Sequence, residues 1–284
     1  MSIDTELIEG VLDVRLANPP VNGLSLATRA ALQAALLHAR ADPRVRAVLL
    51  RGAGKCFSAG GDIRELGTAA ASAAPGLSSH VHVAIEDCGK PVIALMHGLA
   101  LGGGLETALA CHYRIAYAQT RIGLPEVHLG LIPLSATQRL PRLIGMVAAS
   151  ELILSGARYV AEDLRSTALF DRILEGHGGD DMAAGLSFAH EILERGAGHP
   201  RVRHQPLADQ DPEAVLSNIR WRWAFEPQTA ARLGALEALS ACVHEADFTA
   251  GLAKARAIYN SLAESAEMHS ARERFLTPKC CGAW

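Results

Sequence analysis

Residues 98–111 read GLALGGGLETALAC: three consecutive glycines, Gly102, Gly103 and Gly104, among apolar residues, with a lone carboxylate, Glu106, two positions beyond the last. Glycine inside regular structure costs roughly 0.5–1 kcal/mol relative to alanine, so the run serves a purpose that a side chain would defeat. It follows the strand-like PVIALM (91–96) and precedes the helix start LETALA, which puts its N–H groups at a helix N-terminus, where partial positive charge collects. A second small-residue turn, CFSAGGDI (56–63), follows the strand-like RAVLLRG (46–52) in the same way. Two such turns together can make an oxyanion hole, a pair of donors for negative charge on a carbonyl oxygen. A second carboxylate, Glu126 in IGLPEVHLGLIP, also has apolar surroundings. Singly these features read as tight turns, a helix-dipole charge and a cap. Jointly they are what adding or removing water beside a carbonyl requires.

Other uses of the glycines fit less well. G-x-G-x-x-G fails because Thr107 stands three positions after Gly104; no G-x-x-x-x-G-K-[ST] occurs, and Cys56–Gly60 lacks the G-x-S-x-G pattern. Pro91–Cys111 has the length of the roughly 20 apolar residues of a membrane span. Its proline, four glycines and Glu106 make a poor lipid-facing helix, so no span is expected.

The 284 residues are 49% hydrophobic, enough for one large globular domain or a domain with an appendage. Lys plus Arg (27) nearly balance Asp plus Glu (30), so no global field collects nucleic acid or anionic membrane. The acidic start MSIDTELIEG is unlike a signal or transit peptide, giving a cytoplasmic expectation. Cys56, Cys88, Cys111, Cys242, Cys280 and Cys281 form no C-x-x-C pair and read as reduced thiols; no metal site is expected, and His80-Val-His82 reads as a solvated helix edge.

The elements that position the candidate groups alternate. VLDVRL (11–16) is strand-like, Ser25 opens an amphipathic helix ending before Asp42-Pro43, and HYRIAYA (112–118) adds another strand. Short, continuous apolar strands between helices predict an α/β architecture with strands covered on both faces. GTAAASAAPGLSS (67–79) reads as a surface loop or insertion. After a break at 196–213 the pattern is helical, giving an α/β core over 1–200 and a helical C-terminal region over 201–284.

The stretches KCFSAGGDI (55–63), HGLALGGGLE (97–106), GLPEVHLGLIP (123–133) and TQRLPRLIG (137–145), in this order and spacing, resemble the crotonase superfamily of enoyl-CoA hydratases and isomerases. The likeness runs on through LILSGARYVAEDL (152–164), and more loosely the tail looks like the segment after the hydratase half of bifunctional β-oxidation enzymes. It implies a crotonase-like β/α superhelical core, with the C-terminal helices serving trimerisation and covering the acyl pocket. It implies reversible hydration of 2-trans-enoyl-CoA to 3-hydroxyacyl-CoA, with 3-enoyl-CoA isomerisation, thioester hydrolysis or non-catalytic acyl-CoA binding as alternatives. On it, Gly61 and Gly103 supply the two N–H donors, Glu106 activates water, and Glu126 exchanges the proton beside the thioester. Ala59, Arg64, Pro20 and Val21 hold the coenzyme A portion, which enters as part of the substrate; no separate cofactor is implied. A trimer or dimer of trimers of this chain is the implied assembly.

The sequence departs from the family at Ile132-Pro133-Leu134-Ser135-Ala136-Thr137-Gln138, one residue shorter than I-P-G-A-G-G-T-Q and without its glycines. Leu134 is the nearest counterpart of the residue whose N–H helps hold the reacting water. IRWRWAF (219–225) interleaves arginine and tryptophan, for which packing or a subunit contact is the stronger reading than nucleic acid. His128 reads as a core or interface histidine, and His97, Cys111 and His112 as structural.

Overall fold

A computed structural model describes residues 2–176, 178, 182–196 and 198–277. The chain begins with β1 (Ile3–Ile8), β2 (Val11–Leu16), α1 (Leu26–Ala41), β3 (Ala47–Gly52), α2 (Ala69–Ser72) and α3 (His82–Glu86). Next come β4 (Val92–Met96), β5 (Leu99–Leu101), α4 (Gly103–Ala110), β6 (Tyr113–Tyr117), β7 (Arg121–Gly123), α5 (Ala136–Ser155), β8 (Arg158–Val160), β9 (Arg172–Leu174) and α6 (Ala183–Glu194). The rest is helical: α7 (Pro212–Trp223), α8 (Ala230–His244), α9 (Phe248–Ala263) and α10 (Ala266–Leu276).

Six strands form one sheet in the order β1-β2-β3-β4-β6-β9, parallel from β2 onward, and β5-β7-β8 form a second. The continuous apolar runs arise because both sheet faces are covered. Val48, Leu50, Ala94 and Met96 face the main apolar cluster, while Leu49, Ile93 and Leu95 face Phe188, Ala189 and Ile192 of α6. Arg51, buried in β3, is accommodated because Asp13 of β2 meets its guanidinium at 2.8 and 2.9 Å. Ser25 caps α1 as expected, accepting from Thr28 N, and the Glu65 carboxylate also takes Leu26 N at 2.9 Å.

α5 is two helices joined at Gly145 (φ 78°, ψ 162°), where the Asp209 carboxylate accepts Met146 N at 2.7 Å and so serves the start of the second half. The main cluster runs without a break from Ile3 and Val14 through Leu105 and Leu140 to Ala235, Leu239, Leu262 and Met268. The helices after residue 200 therefore share the core of the α/β part.

The structure corrects some of these expectations and bears out others. The 67–79 segment contains α2 and the start of a π-helical turn, Leu77–Val81, that leads directly into α3. His82 is fully buried there; only His80 is exposed. β1 and the short strands β5, β7, β8 and β9 add to the strands read from the sequence. Pro91–Cys111 divides into β4, β5 and α4, and no described helix is long and apolar enough to cross a membrane. In α7, Trp223 is buried while Trp221 is exposed, and Arg220 and Arg222 are held by Ser240 and Glu151. His97 and His112 are buried and bonded to the Gly54 and Glu86 carbonyls. His128 is exposed and packs where a Cβ on Gly156 would stand. Cys56, Cys88, Cys111 and Cys242 are free and buried; Cys280 and Cys281 lie outside the described residues.

Candidate active site

The two glycine turns lie side by side because the backbones that carry them pair. Phe57 N donates to His97 O, Ser58 N to Leu99 O, and Leu101 N back to Ser58 O, at 2.9–3.1 Å. Close approach demands glycine: at Gly98 (φ 61°) a Cβ would overlap the Lys55 carbonyl oxygen and stand 3.1 Å from Cys56 Cα. Gly98→Ala is expected to cost about 2–5 kcal/mol through the positive φ and the overlap, lowering Tm by about 5–15 °C in a thermal melt.

Each glycine of the triplet has a separate reason. A Cβ on Gly102 (φ 49°) would stand 2.6 Å from Glu126 Oε1, and one on Gly104 would stand 2.6 Å from Ser58 O. A Cβ on Gly103 would stand 3.4 Å from Gly61 N. Gly102 thus admits a carboxylate, Gly104 lets α4 close onto the neighbouring turn, and Gly103 and Gly61 border one space. Neither of these two N–H groups donates to a protein acceptor among the described residues.

That space belongs to a cavity of about 810 Å³ whose wall includes Ala59, Gly61, Gly103, Glu106, Glu126 and Leu134. α9 and α10 close one side with Arg256, Tyr259, Asn260, Ala263 and His269. Val21 lies beside the lining, its carbonyl accepting Ala59 N at 2.9 Å, and Pro20 is exposed next to it. Arg64 stands outside the lining, exposed, with its guanidinium on Asp62 at 2.7 and 2.9 Å. Leu134 is buried in the wall, but the 132–138 loop engages Glu106 through the next two residues. Ser135 N, Ser135 Oγ and Ala136 N all donate to Glu106 Oε1, at 2.6, 3.0 and 2.9 Å.

The two glutamates differ electrostatically. Burial raises the Glu106 pKa, and the three donors with Arg139 pull it back. Glu126 is pushed well above the usual carboxylate range, first by burial and then by the Glu106 charge; its buried Oε2 has no hydrogen-bond partner among the described residues. Of the two, Glu126 is pushed further toward holding a proton, and Glu106 is the one whose charge the three donors favour. Tyr259 is pushed up to about 12 by burial and by both glutamates.

Because the folded Glu126 binds its proton more tightly than the unfolded one, its contribution to stability is full below about pH 4.3 and is lost as pH rises toward the folded pKa. Glu126→Gln is therefore expected to raise Tm relative to wild type at pH 8 but not at pH 4.5. A difference that does not grow with pH would contradict the assigned proton.

His82, Ser135 and Tyr259 join the site without a sequence motif to announce them. The one available signal was the absence of glycine from the 132–138 loop.

Residues 6–197 match the family Enoyl-CoA hydratase/isomerase. The chain belongs to that family. This family member is 32% identical over 284 residues to the peroxisomal bifunctional enzyme of Homo sapiens, covering 99% of the chain but 38% of that protein. The chain thus spans well under half the length of that relative. It is 45% identical over 205 residues to a probable enoyl-CoA hydratase of Bacillus subtilis (strain 168), covering 70% of the chain and 73% of the relative. Among solved structures, Pseudomonas aeruginosa OdaA superposes with a TM-score of 0.68 at 26% identity, covering 97% and 98% of the two chains. An enoyl-CoA hydratase/isomerase from Pseudoalteromonas atlantica T6c has the same fold, with a TM-score of 0.69 at 24% identity over 97% and 96%. The crotonase-like α/β fold with C-terminal helices is thereby shown.

Proposed function

We propose that the chain reversibly hydrates a 2-trans-enoyl-CoA to a 3-hydroxyacyl-CoA. The observation that carries this reading is a pair of buried glutamates in one cavity, Glu126 pushed further up than the thrice-donated Glu106, beside two glycine amides with no protein acceptor among the described residues. The thioester oxygen lies between the N–H groups of Gly61 and Gly103, which take up negative charge as the double bond is attacked. Ionised Glu106 removes a proton from water, and the new C–O bond forms at the carbon remote from the thioester. Protonated Glu126 delivers a proton to the adjacent carbon. One proton enters and one leaves the pair, so its total charge is the same before and after the step. Opposite protonation of two like groups is what burial and mutual repulsion produce.

The Ala59 carbonyl, with Pro20 and Val21 alongside and Arg64 further out, borders the space assigned to coenzyme A, which arrives as part of the substrate. α9 and α10 cover the acyl group, and Leu134 bounds its pocket. A trimer or dimer of trimers is the assembly this reading carries. Loss of enoyl-thioester absorbance on mixing purified protein with substrates of several chain lengths, with 3-hydroxyacyl-CoA as product, is the expected result. No loss with any chain length would reject it.

Isomerisation of 3-enoyl-CoA is a second reading, favoured by the three donors on Glu106 Oε1, which leave Glu126 as the less restrained acid/base. Conjugated product without hydration from 3-enoyl-CoA would select it.

A further inference from the structure

Behind Glu106 stands a chain of side chains that the proposed chemistry does not use. Ser135 Oγ, which donates to Glu106 Oε1, lies 3.3 Å from His82 Nδ1. His82 Nε2 lies 3.2 Å from Thr107 Oγ1, and that hydroxyl donates to the Gly103 carbonyl at 2.7 Å. His82, Ser135 and Thr107 are all fully buried. Ser135 and Thr107 each spend their only O–H, on Glu106 Oε1 and on the Gly103 carbonyl, so both hydroxyl oxygens are left as acceptors toward His82. A neutral imidazole has one N–H for the two, and the tautomer that carries it on Nδ1 directs it at Ser135.

The element bearing His82 is itself pinned. One turn along α3, Glu86 meets Arg139, one turn beyond Ser135 on α5, at 3.0 Å, with both side chains buried. His82 and Glu86 thus face Ser135 and Arg139 as two successive rungs, four residues apart on each helix. The π-helical turn before α3 is tied to α9, where Arg256 donates to Ser78 Oγ at 2.7 Å.

We propose that His82, with its proton on Nδ1, is a positioning residue that, through the Ser135 hydroxyl, holds the Glu106 carboxylate oriented toward the cavity. The inference rests on the role given to Glu106 above. A histidine whose N–H is aimed at Ser135 prevents the hydroxyl from turning away, and Glu106 keeps its third donor.

Glu106 is faced by Glu126 from the turn 125–129, Arg139 from α5 and Tyr259 from α9. His82 is faced by Arg139 and Arg256, which with burial keep it neutral, and Tyr259 is faced by Arg29 of α1. None of these is altered in the variants below, so a moved Glu106 titration reports the hydroxyl bond.

The test reads the titration of the Glu106 carboxylate in the resting protein by 13C NMR after glutamate labelling, with Glu106→Gln assigning the signal. It also reads kcat and KM for enoyl-CoA hydration against pH. Ser135→Ala is expected to raise the midpoint by about one unit, a tenfold loss of ionised Glu106 below it, and His82→Ala by about half a unit. The double variant should match Ser135→Ala alone, since His82 acts only through that hydroxyl. His82→Asn, whose amide nitrogen stands where Nδ1 stands, should restore the midpoint, whereas His82→Gln, which places its amide at Nε2, should not. The acid limb of kcat should follow the midpoints with KM within about twofold.

Unmoved midpoints in folded Ser135→Ala and His82→Gln overturn the proposal, as do additive shifts in the double variant. If His82→Ala does not fold, Ser135→Ala and the Asn and Gln pair decide the matter. Absence of any turnover by the wild type would remove the hydratase reading, and the NMR titration would still decide this one.

Discussion

Glu106→Gln is expected to lower kcat for enoyl-CoA hydration about 10²–10⁴-fold with the fold intact. Glutamine has the same shape, and its carbonyl oxygen can take the donors from Ser135 and Ala136 that Glu106 Oε1 takes now. It cannot accept a proton from water. The protein should melt no lower than wild type, because the replacement removes a buried charge. The same substitution at Glu126 should cost as much by withholding the proton for the carbon beside the thioester. The two substitutions also separate the reactions: if 3-enoyl-CoA isomerisation survives in Glu106→Gln and vanishes in Glu126→Gln, one carboxylate suffices for it. Comparable hydration by Glu106→Gln and wild type, followed by absorbance, would remove Glu106 from the chemistry.

Gly103→Ala is the second large effect, expected to lower kcat about 10²–10³-fold. Its methyl would stand 3.4 Å from Gly61 N, in the space both amides address, and 2.9 Å from Leu77 Cδ2, the flexible end of a side chain that can yield. Folding should survive and catalysis should not. Gly61→Ala makes the contrast: its methyl meets nothing within 4 Å and its N–H remains, so activity should stay within about tenfold of wild type. Equal losses in the two variants, measured as initial rates at saturating substrate, would mean that the amides do not share one acceptor.

Much of this arrangement was written locally. β3, β4 and β6 could be read from continuous apolar runs because the covering helices leave no polar face to interrupt them. Ser25 announced α1 through its cap, and the glycines announced the two turns because close backbone approach leaves few residue choices. What was missed depends on distant partners. IDTELI is read only for its acidic charge, and it is pairing with β2 that makes it a strand; three-residue strands carry too few positions for a period. His82 resembles a solvent-facing histidine beside His80; it is α5, more than fifty residues later, that buries it. Leu134 marked the right loop, yet the atoms that reach Glu106 come from Ser135 and Ala136, because side-chain size says little about where a backbone amide points. Tyr259 is brought to the carboxylates only when α9 folds back over them.

The unbroken apolar cluster joining Leu105 and Leu140 to Leu239 and Met268 ties the C-terminal helices and the α/β part into one core. Stripping away α8–α10 would expose α5, which begins beside the donors to Glu106, and the 125–129 turn that carries Glu126. A single cooperative melt is accordingly expected, with the cavity lost at the same temperature as the helices that cover it.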